Sequence, residues 1–265
     1  MDGGFIDIHC HLLPGVDDGA ANWESTLGMA RLAVNDGTRT IIATPHQLGN
    51  FSHNRGEDIR AWTTQVQQVL EQQAIPLKVL PGGDVRIEDG MVDLVLRGEV
   101  MSLGDLRRHV LLELPHELYF PLEGVLAELN RQGLSGILSH PERNQGLLRE
   151  PDLLPDLVDA GCLMQVTAGS LMGTFGSSAQ RMAEWMLTQG LVHFVATDAH
   201  GTKSRRPLMR RAFDRVAELT DDSAAEDLCR HYPGLVASGS RVPAGRRGVR
   251  RRGGWRGLFS TKKVG

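Results

Sequence analysis

Short apolar runs recur along the chain, and between them lie stretches whose apolar residues return every three to four positions. The runs predict seven β-strands: Phe5–Ile8, Thr38–Ala43, Lys78–Leu80, Val110–Glu113, Gly136–Ser139, Cys162–Val166 and His193–Ala196. The periodic stretches predict helices at Glu24–Asn35, Asp58–Gln72, Leu122–Arg131, Asp152–Ala160, Ser177–Thr188 and Arg206–Leu219. Strands apolar on both faces that alternate with amphipathic helices are parallel strands covered by those helices, so the fold class is α/β. Gly37, Gly133, Gly161 and Gly190 stand just past periodic runs, where a helix ends on a left-handed residue. The stretch Asp84–Arg108 breaks the rhythm and predicts a short helix with loops.

The polar residues that follow the apolar runs carry the candidate chemistry. The first run ends in His9-Cys10-His11, and His46, Glu113, His140 and then Asp198 with His200 close later ones. Parallel strands deliver such residues to one mouth of a barrel. A single histidine at a strand end is more often structural. Two histidines two apart in a strand share a face, however, and Asp7 shares it with them. The ligand types exceed what one ion needs, which predicts two or three metals. Gly15-Val16-Asp17-Asp18-Gly19 turns two more carboxylates back toward the first strand, and Glu113 could bridge two cations. Close cations suit hydrolysis of an anionic ester, because they hold phosphate oxygens, generate a hydroxide and neutralise the leaving oxygen. Arg143, three residues after His140, is a candidate phosphate clamp, as are Arg205 and Arg206. The bland alternative for each arginine is a solvated surface charge.

Composition narrows the reading. The 265 residues are enough for one large core, 41% are hydrophobic, and aromatics are only 5%, so Leu, Val, Ile and Met must fill that core. No apolar run reaches the roughly 18 residues of a membrane helix, and the acidic start does not read as a secretory signal. The three cysteines, an odd number without paired spacing, predict reduced thiols in a cytoplasmic protein. Val16, Ala168 and Leu235 occupy the positions where a Cys-x5-Arg phosphate loop would need arginine, so no cysteine-phosphatase motif is present. Nine Arg or Lys and no acid lie between Arg241 and Gly265, while the preceding residues hold 20 basic and 32 acidic groups. An acidic body argues against nucleic acid and suits cations. The chain is expected to divide into a catalytic body, 1–238, and a basic flexible tail, 239–265, able to meet an acidic partner or an anionic membrane surface.

Together the segments DIHCHLLPGVDDGA (7–20), TPH (44–46), LLELP (111–115), LSHPERN (138–144), QVTAGSLMGTFG (165–176), TDAH (197–200) and RRP (205–207) resemble the polymerase-and-histidinol-phosphatase (PHP) superfamily. Within it they are most similar to bacterial manganese-dependent protein-tyrosine phosphatases of capsule and exopolysaccharide synthesis. The resemblance implies a distorted (β/α)7 TIM-like barrel and a three-metal centre, Mn2+ favoured, with Fe or Zn as alternatives, where the ligand count alone gives two or three ions. It implies that His9, His11, His46, Asp84, Glu113, His140, Asp198 and His200 hold metal. Asp18, His46, Arg143 and His200 would act in catalysis, and Arg143 and Arg206 would hold the substrate phosphate. The implied substrate is the phosphorylated tail of a tyrosine autokinase, and a homo-oligomer is compatible with the family. In GGDVRI the family usually has glutamate where this chain has Asp84, one methylene shorter, which predicts weaker occupancy of one metal; Glu88 stands in the wrong register to replace it. Cys10 is expected to point away from its flanking histidines as a small buried residue. Two rivals use the same residues: a histidinol-phosphate or other small-molecule phosphoesterase, and a regulator that binds phosphotyrosine without turnover.

Overall fold

The structure is a computed structural model and describes residues 3–248. In order along the chain come β1 Phe5–Cys10, α1 Trp23–Asp36, β2 Thr38–Ala43, β3 His46–Gln47, α2 Gly56–Gln72, β4 Lys78–Pro81, β5 Asp84–Arg86 and α3 Met91–Arg97. They are followed by β6 His109–Glu113, α4 Glu123–Arg131, β7 Ser135–Ser139, α5 Gln145–Arg149, α6 Leu153–Asp159, β8 Leu163–Thr167, α7 Ala168–Leu171, α8 Gly176–Thr188 and β9 Phe194–Ala196. The helices α9 Arg210–Leu219, α10 Asp222–Glu226 and α11 Tyr232–Ala237 finish the body, with a π-helical turn at Asp227–His231.

Every strand pairing is parallel, in the orders β1-β2-β4 and β3-β5-β6-β7-β8-β9. These are two arcs of one barrel. Strands β2 and β3 are a single stave interrupted at Thr44-Pro45, and β4 and β5 are its neighbour, interrupted at Gly82-Gly83. The ring closes where Asp198 N–H donates to His9 O at 2.7 Å and His11 N–H donates to Ala199 O at 2.9 Å. The result is the expected seven-stave distorted barrel, with two staves broken near the mouth. The breaks turn the upper halves of these staves inward, and His46 and Asp84, first residues of β3 and β5, pair directly with each other.

The staves form because they can be buried on both faces: β8, Leu-Met-Gln-Val-Thr, is buried at every position, as is β9. Cys10 packs outward with Met29, Ala30 and Ala33 of α1, away from the histidines that flank it, as expected. The helices end as predicted, with Gly37, Gly133, Gly161 and Gly190 all at positive φ. Most predicted boundaries shift by one or two residues, and the largest helix shift is at the last long helix, which begins at Arg210 rather than Arg206 because Arg205 takes a left-handed φ of 45° and Pro207 follows Arg206. Residues 239–248, expected to begin a flexible tail, lie against the body. Arg247 N–H donates to Gly190 O at 2.8 Å, and Arg246 and Arg247 pair with Asp159 and Asp227, both at 2.6 Å. The remainder of the expected basic tail, 249–265, lies outside the described residues. No helix among the described residues is long and apolar enough to cross a membrane.

Candidate metal centre

Six of the seven staves bring the candidate ligands to one opening, at strand ends or, for His46 and Asp84, at the starts of β3 and β5 beyond the breaks. Alternation along β1 sends Asp7 and His9 inward, and His11 follows on the same face. His140 follows β7 directly and Asp198 lies two residues beyond β9, and both adopt left-handed φ, 34° and 49°. That conformation is uncommon outside glycine, and it turns both side chains across the mouth instead of continuing the strand direction.

Four overlapping sets of ligand atoms result: His11, Asp18, His46 and His200; His9, His11 and Asp84; His9, His140 and Asp198; and His46, Asp84 and Glu113. Within each set the ligand atoms lie within 4.8 Å of one another. Asp84 Oδ2 is 3.5 Å from His9 Nε2 and 3.4 Å from His46 Nδ1, so the shorter carboxylate still reaches the cluster. Glu113 faces two imidazoles with its two oxygens, 3.5 Å from His46 Nδ1 and 3.8 Å from His140 Nε2. Asp18 Oδ1 stands 3.4 Å from His46 Nε2 and 3.3 Å from His200 Nε2 and is the exposed member of the cluster. Glu88 is elsewhere, accepting from Gly49 N–H.

The donor chemistry fits cations. His9 Nδ1 faces Gln165 Oε1 at 2.8 Å and His11 Nδ1 faces Asp17 Oδ2 at 2.6 Å, so in the neutral rings both Nδ1 atoms carry the proton. Their Nε2 lone pairs then point at one another across 3.2 Å, a repulsive arrangement unless positive charge lies between them. Asp84 is fully buried, and neither of its carboxylate oxygens has a hydrogen-bond partner. A buried carboxylate in that state requires a cation.

The titration behaviour of the metal-free chain agrees. Burial pushes the His11 imidazole down, but Asp17 and Asp198 outweigh it and hold it at about 9. His46 is likewise raised, against burial, by Asp18, Asp84 and Glu113. Asp84 and Asp198 stay well below the usual carboxylate range despite burial, chiefly because of His9. His140 goes the other way, to about 3, through burial and the Arg143 guanidinium beside it. Protons gather where cations would compensate the same carboxylates.

Arg143 and Arg205 both donate to Asp198 Oδ2, Arg205 Nη2 from 2.6 Å, and Arg143 lies over the Phe175 ring at 4.2 Å. Both line the cleft of about 220 Å3 above the ligands, together with Asp18, His46, Glu113 and His140. Arg206, expected at the phosphate, is exposed and does not line the cleft, whereas Arg205, the other candidate, does, on a backbone with φ of 45°.

Four further side chains support the centre; the sequence points to Asp7 and Asp17 but not to Gln165 or Glu142. Asp17 orients His11 and also accepts from His46 N–H at 3.0 Å and Gly19 N–H at 2.9 Å. Gln165 orients His9, and a polar residue in the middle of an apolar strand was its signal. Glu142, wholly buried, accepts from Thr167 N–H and Ser170 Oγ, fixing the segment after β8 against the Arg143 turn. Asp7 holds the β9 end through Thr197 N–H at 3.0 Å and Thr197 Oγ1 at 2.5 Å.

Comparison with known proteins agrees with this geometry. Residues 5–237 match the family model for capsular polysaccharide synthesis, CpsB/CapC. The chain is 39% identical over 202 residues to the tyrosine-protein phosphatase YwqE of Bacillus subtilis, covering 76% of this chain and 79% of that one. It is 27% identical over 229 residues to the tyrosine-protein phosphatase CpsB of Streptococcus pneumoniae, covering 84% of this chain and 94% of the relative. A crystal structure from work on these two proteins, described as unique metal-dependent tyrosine phosphatases, superposes with a TM-score of 0.85 at 33% identity, over 93% of this chain and 100% of the other. The chain belongs to the CpsB/CapC family of capsular polysaccharide synthesis proteins.

Proposed function

We propose that this chain is a metal-dependent protein-tyrosine phosphatase that hydrolyses O-phosphotyrosine on the tail of a tyrosine autokinase serving polysaccharide assembly. The observation that carries the reading is the convergence of four ligand sets and two inward arginines on one small cleft, in a chain 39% identical to a tyrosine phosphatase.

His9, His11, His46, Asp84, Glu113, His140, Asp198 and His200 would hold two or three ions, with Mn2+ the metal of choice. Bound cations supply Lewis acidity toward the phosphoryl oxygens and a hydroxide nucleophile at neutral pH. Arg143 and Arg205 project from one side of the cleft and stabilise the phosphoryl oxygens as charge builds on them. Asp17 and Gln165 keep the Nε2 atoms of His11 and His9 turned inward. Asp18, whose side chain is 55% exposed, stands at the mouth beside His46 and His200, where a proton can pass to the departing phenolate. A tyrosine phenolate, with a conjugate acid pKa of about 10, needs less help to leave than a serine alkoxide. The three buried free thiols fit a reducing, cytoplasmic setting. The basic residues beyond Arg241 would bring the enzyme toward an anionic inner leaflet.

The test is kcat/KM of metal-stripped protein reloaded with Mn2+ on a phosphotyrosine peptide, a phosphoserine peptide and histidinol phosphate, with His9→Ala as control. Phosphotyrosine preference that disappears in His9→Ala supports the reading. Preference for histidinol phosphate moves the enzyme into small-molecule metabolism, and the absence of turnover of all three leaves a phosphotyrosine-binding regulator.

A further inference from the structure

A groove of about 750 Å3 adjoins the metal cleft. Arg143 and His116 line both cavities, which therefore adjoin at these two side chains. The cleft alone, at about 220 Å3, is smaller than a typical ligand pocket of roughly 300–1,000 Å3. It suits a phosphoryl group and the atoms that flank it, whereas the groove has room for several residues of polypeptide.

The groove has a definite chemistry. Phe175, beneath the Arg143 guanidinium, forms the wall where groove meets cleft. Met182 and the half-buried Trp185 extend that wall along α8, and Arg181 stands on the exposed side of the same helix with its Nη2 3.4 Å from Ser178 Oγ. No carboxylate lines the groove among the described residues, although the first 240 residues of the chain carry 32 acidic and only 20 basic groups. The loop that brings His116 to the groove is pinned by Asn144 Nδ2, which donates to Pro115 O and Leu118 O, both at 2.8 Å. That loop leaves Leu118 61% exposed.

We propose that this groove receives the polypeptide on one side of the phosphotyrosine, and that it selects acidic sequence there. The proposal rests on the phosphotyrosine reading of the cleft and adds the class of sequence that the enzyme prefers. Trp185, Phe175 and Met182 offer an apolar wall to the peptide, and Arg181 with Arg143 offers positive charge on an otherwise acidic body. Arg181 acts at a distance from the reacting phosphorus, so its contribution belongs to peptide binding.

The experiment measures kcat and KM for Mn2+-loaded enzyme on free phosphotyrosine, a phosphotyrosine peptide with Asp and Glu flanks, and the same peptide with Lys flanks. Wild type is expected to favour the acidic peptide over the lysine peptide by about 10-fold, through KM, with the preference shrinking as salt rises. Arg181→Glu should lower that ratio about 10-fold, and Trp185→Ala should reduce the advantage of the acidic peptide over free phosphotyrosine at least 5-fold. Arg181 is exposed on a helix, so its reversal leaves the fold in place. Phosphotyrosine turnover with no preference between flanks, or a ratio that Arg181→Glu leaves unchanged, overturns the groove and spares the cleft. Failure to hydrolyse phosphotyrosine in any form overturns both.

Discussion

At the scale of single residues, the centre depends on side chains that never meet the substrate. His11 offers Nε2 to the cavity because its Nδ1–H donates to Asp17 Oδ2 at 2.6 Å. Removing such an orienting partner costs about 10–100-fold in metal affinity in comparable sites. Asp17→Ala is therefore expected to weaken Mn2+ binding by that factor, measured by titration of metal-stripped protein, while leaving all eight proposed ligands in the chain. Unchanged affinity would mean that the His11 ring is held by its neighbours alone. Asp84, in the irregular stretch, is suggested only by the family resemblance, but the other seven of the eight proposed ligands were legible in the sequence, because histidine and carboxylate at the ends of apolar runs are chemically conspicuous. The orienting groups were less so: Asp17 and Asp18 are adjacent and identical, and only the fold shows that one faces His11 while the other faces the mouth. The same limit explains Arg205 and Arg206. Which of two neighbouring arginines lines the cleft depends on the local backbone, with a φ of 45° at Arg205, which residue type does not encode.

At the scale of elements, the broken staves explain how Asp84 would reach a metal where the resembled family usually has the longer glutamate. The interruption at Gly82-Gly83 lets β5 start deeper in the mouth, beside His46. A Cβ on Gly83 would lie 2.5 Å from Gln47 Oε1. Gln47 has little freedom to retreat, since its amide donates to Asn54 O at 2.8 Å and accepts from Met101 N–H at 2.7 Å. Gly83→Ala is expected to destabilise the fold by about 1–3 kcal/mol and to release one metal per chain, read by urea unfolding and metal analysis of the same samples. Full metal content would show that β5 tolerates the shift. Aspartate in place of glutamate also predicts one weaker site, and Asp84→Glu tests this directly: metal content that rises in the variant supports it, and a full complement in the wild type removes it. The number and direction of the staves were readable from the apolar runs. The breaks were not, because strands of two or three residues, β3 and β5, fall below any periodicity, so the upper part of the β4–β5 stave reads as part of the irregular stretch from Asp84.

At the same scale, His193 couples β8 to the residues after the body. Met164 N–H donates to its Nδ1 and its Nε2 faces Gly245 O, both at 3.1 Å, so the ring must stay neutral to keep both bonds. Burial lowers its pKa to about 4, against an ordinary value of 6.5. The unfolded chain therefore takes up the proton first as pH falls. The stability held by the neutral ring is complete above about 6.5 and is lost as pH drops toward 4, by up to about 3 kcal/mol. His109, buried beside Arg108 and also lowered to about 4, adds loss of the same sign. Urea unfolding at pH 7.5 and 4.5 should show a difference that shrinks by about 2–3 kcal/mol in His193→Ala. An equal acid loss in variant and wild type would assign the effect to other groups.

For the whole molecule, the barrel separates chemistry from anchoring. The proposed ligands gather at the mouth on the carboxyl side of the barrel, and the contacts of residues 245–247 reach Gly190 and His193 before β9, Asp159 before β8, and Asp227 in the π-helical turn. In such barrels the carboxyl end carries the activity and the opposite end carries stability. A chain ending at Ser240 loses the Arg247 N–H bond to Gly190, the ion pairs of Arg246 and Arg247, and the acceptor for His193 Nε2. The Arg246 pair is exposed and contributes little, while the backbone bond and the buried acceptor contribute about 1 kcal/mol each. That sum corresponds to a fall in Tm of roughly 4–8 °C for a body of this size. The truncated chain is therefore expected to unfold earlier in a thermal scan, yet to turn over free phosphotyrosine at the wild-type kcat/KM. A lower kcat/KM at temperatures where the shortened body is still folded would show that the terminal residues reach the active end, and the division between the two ends of the barrel would have to be abandoned.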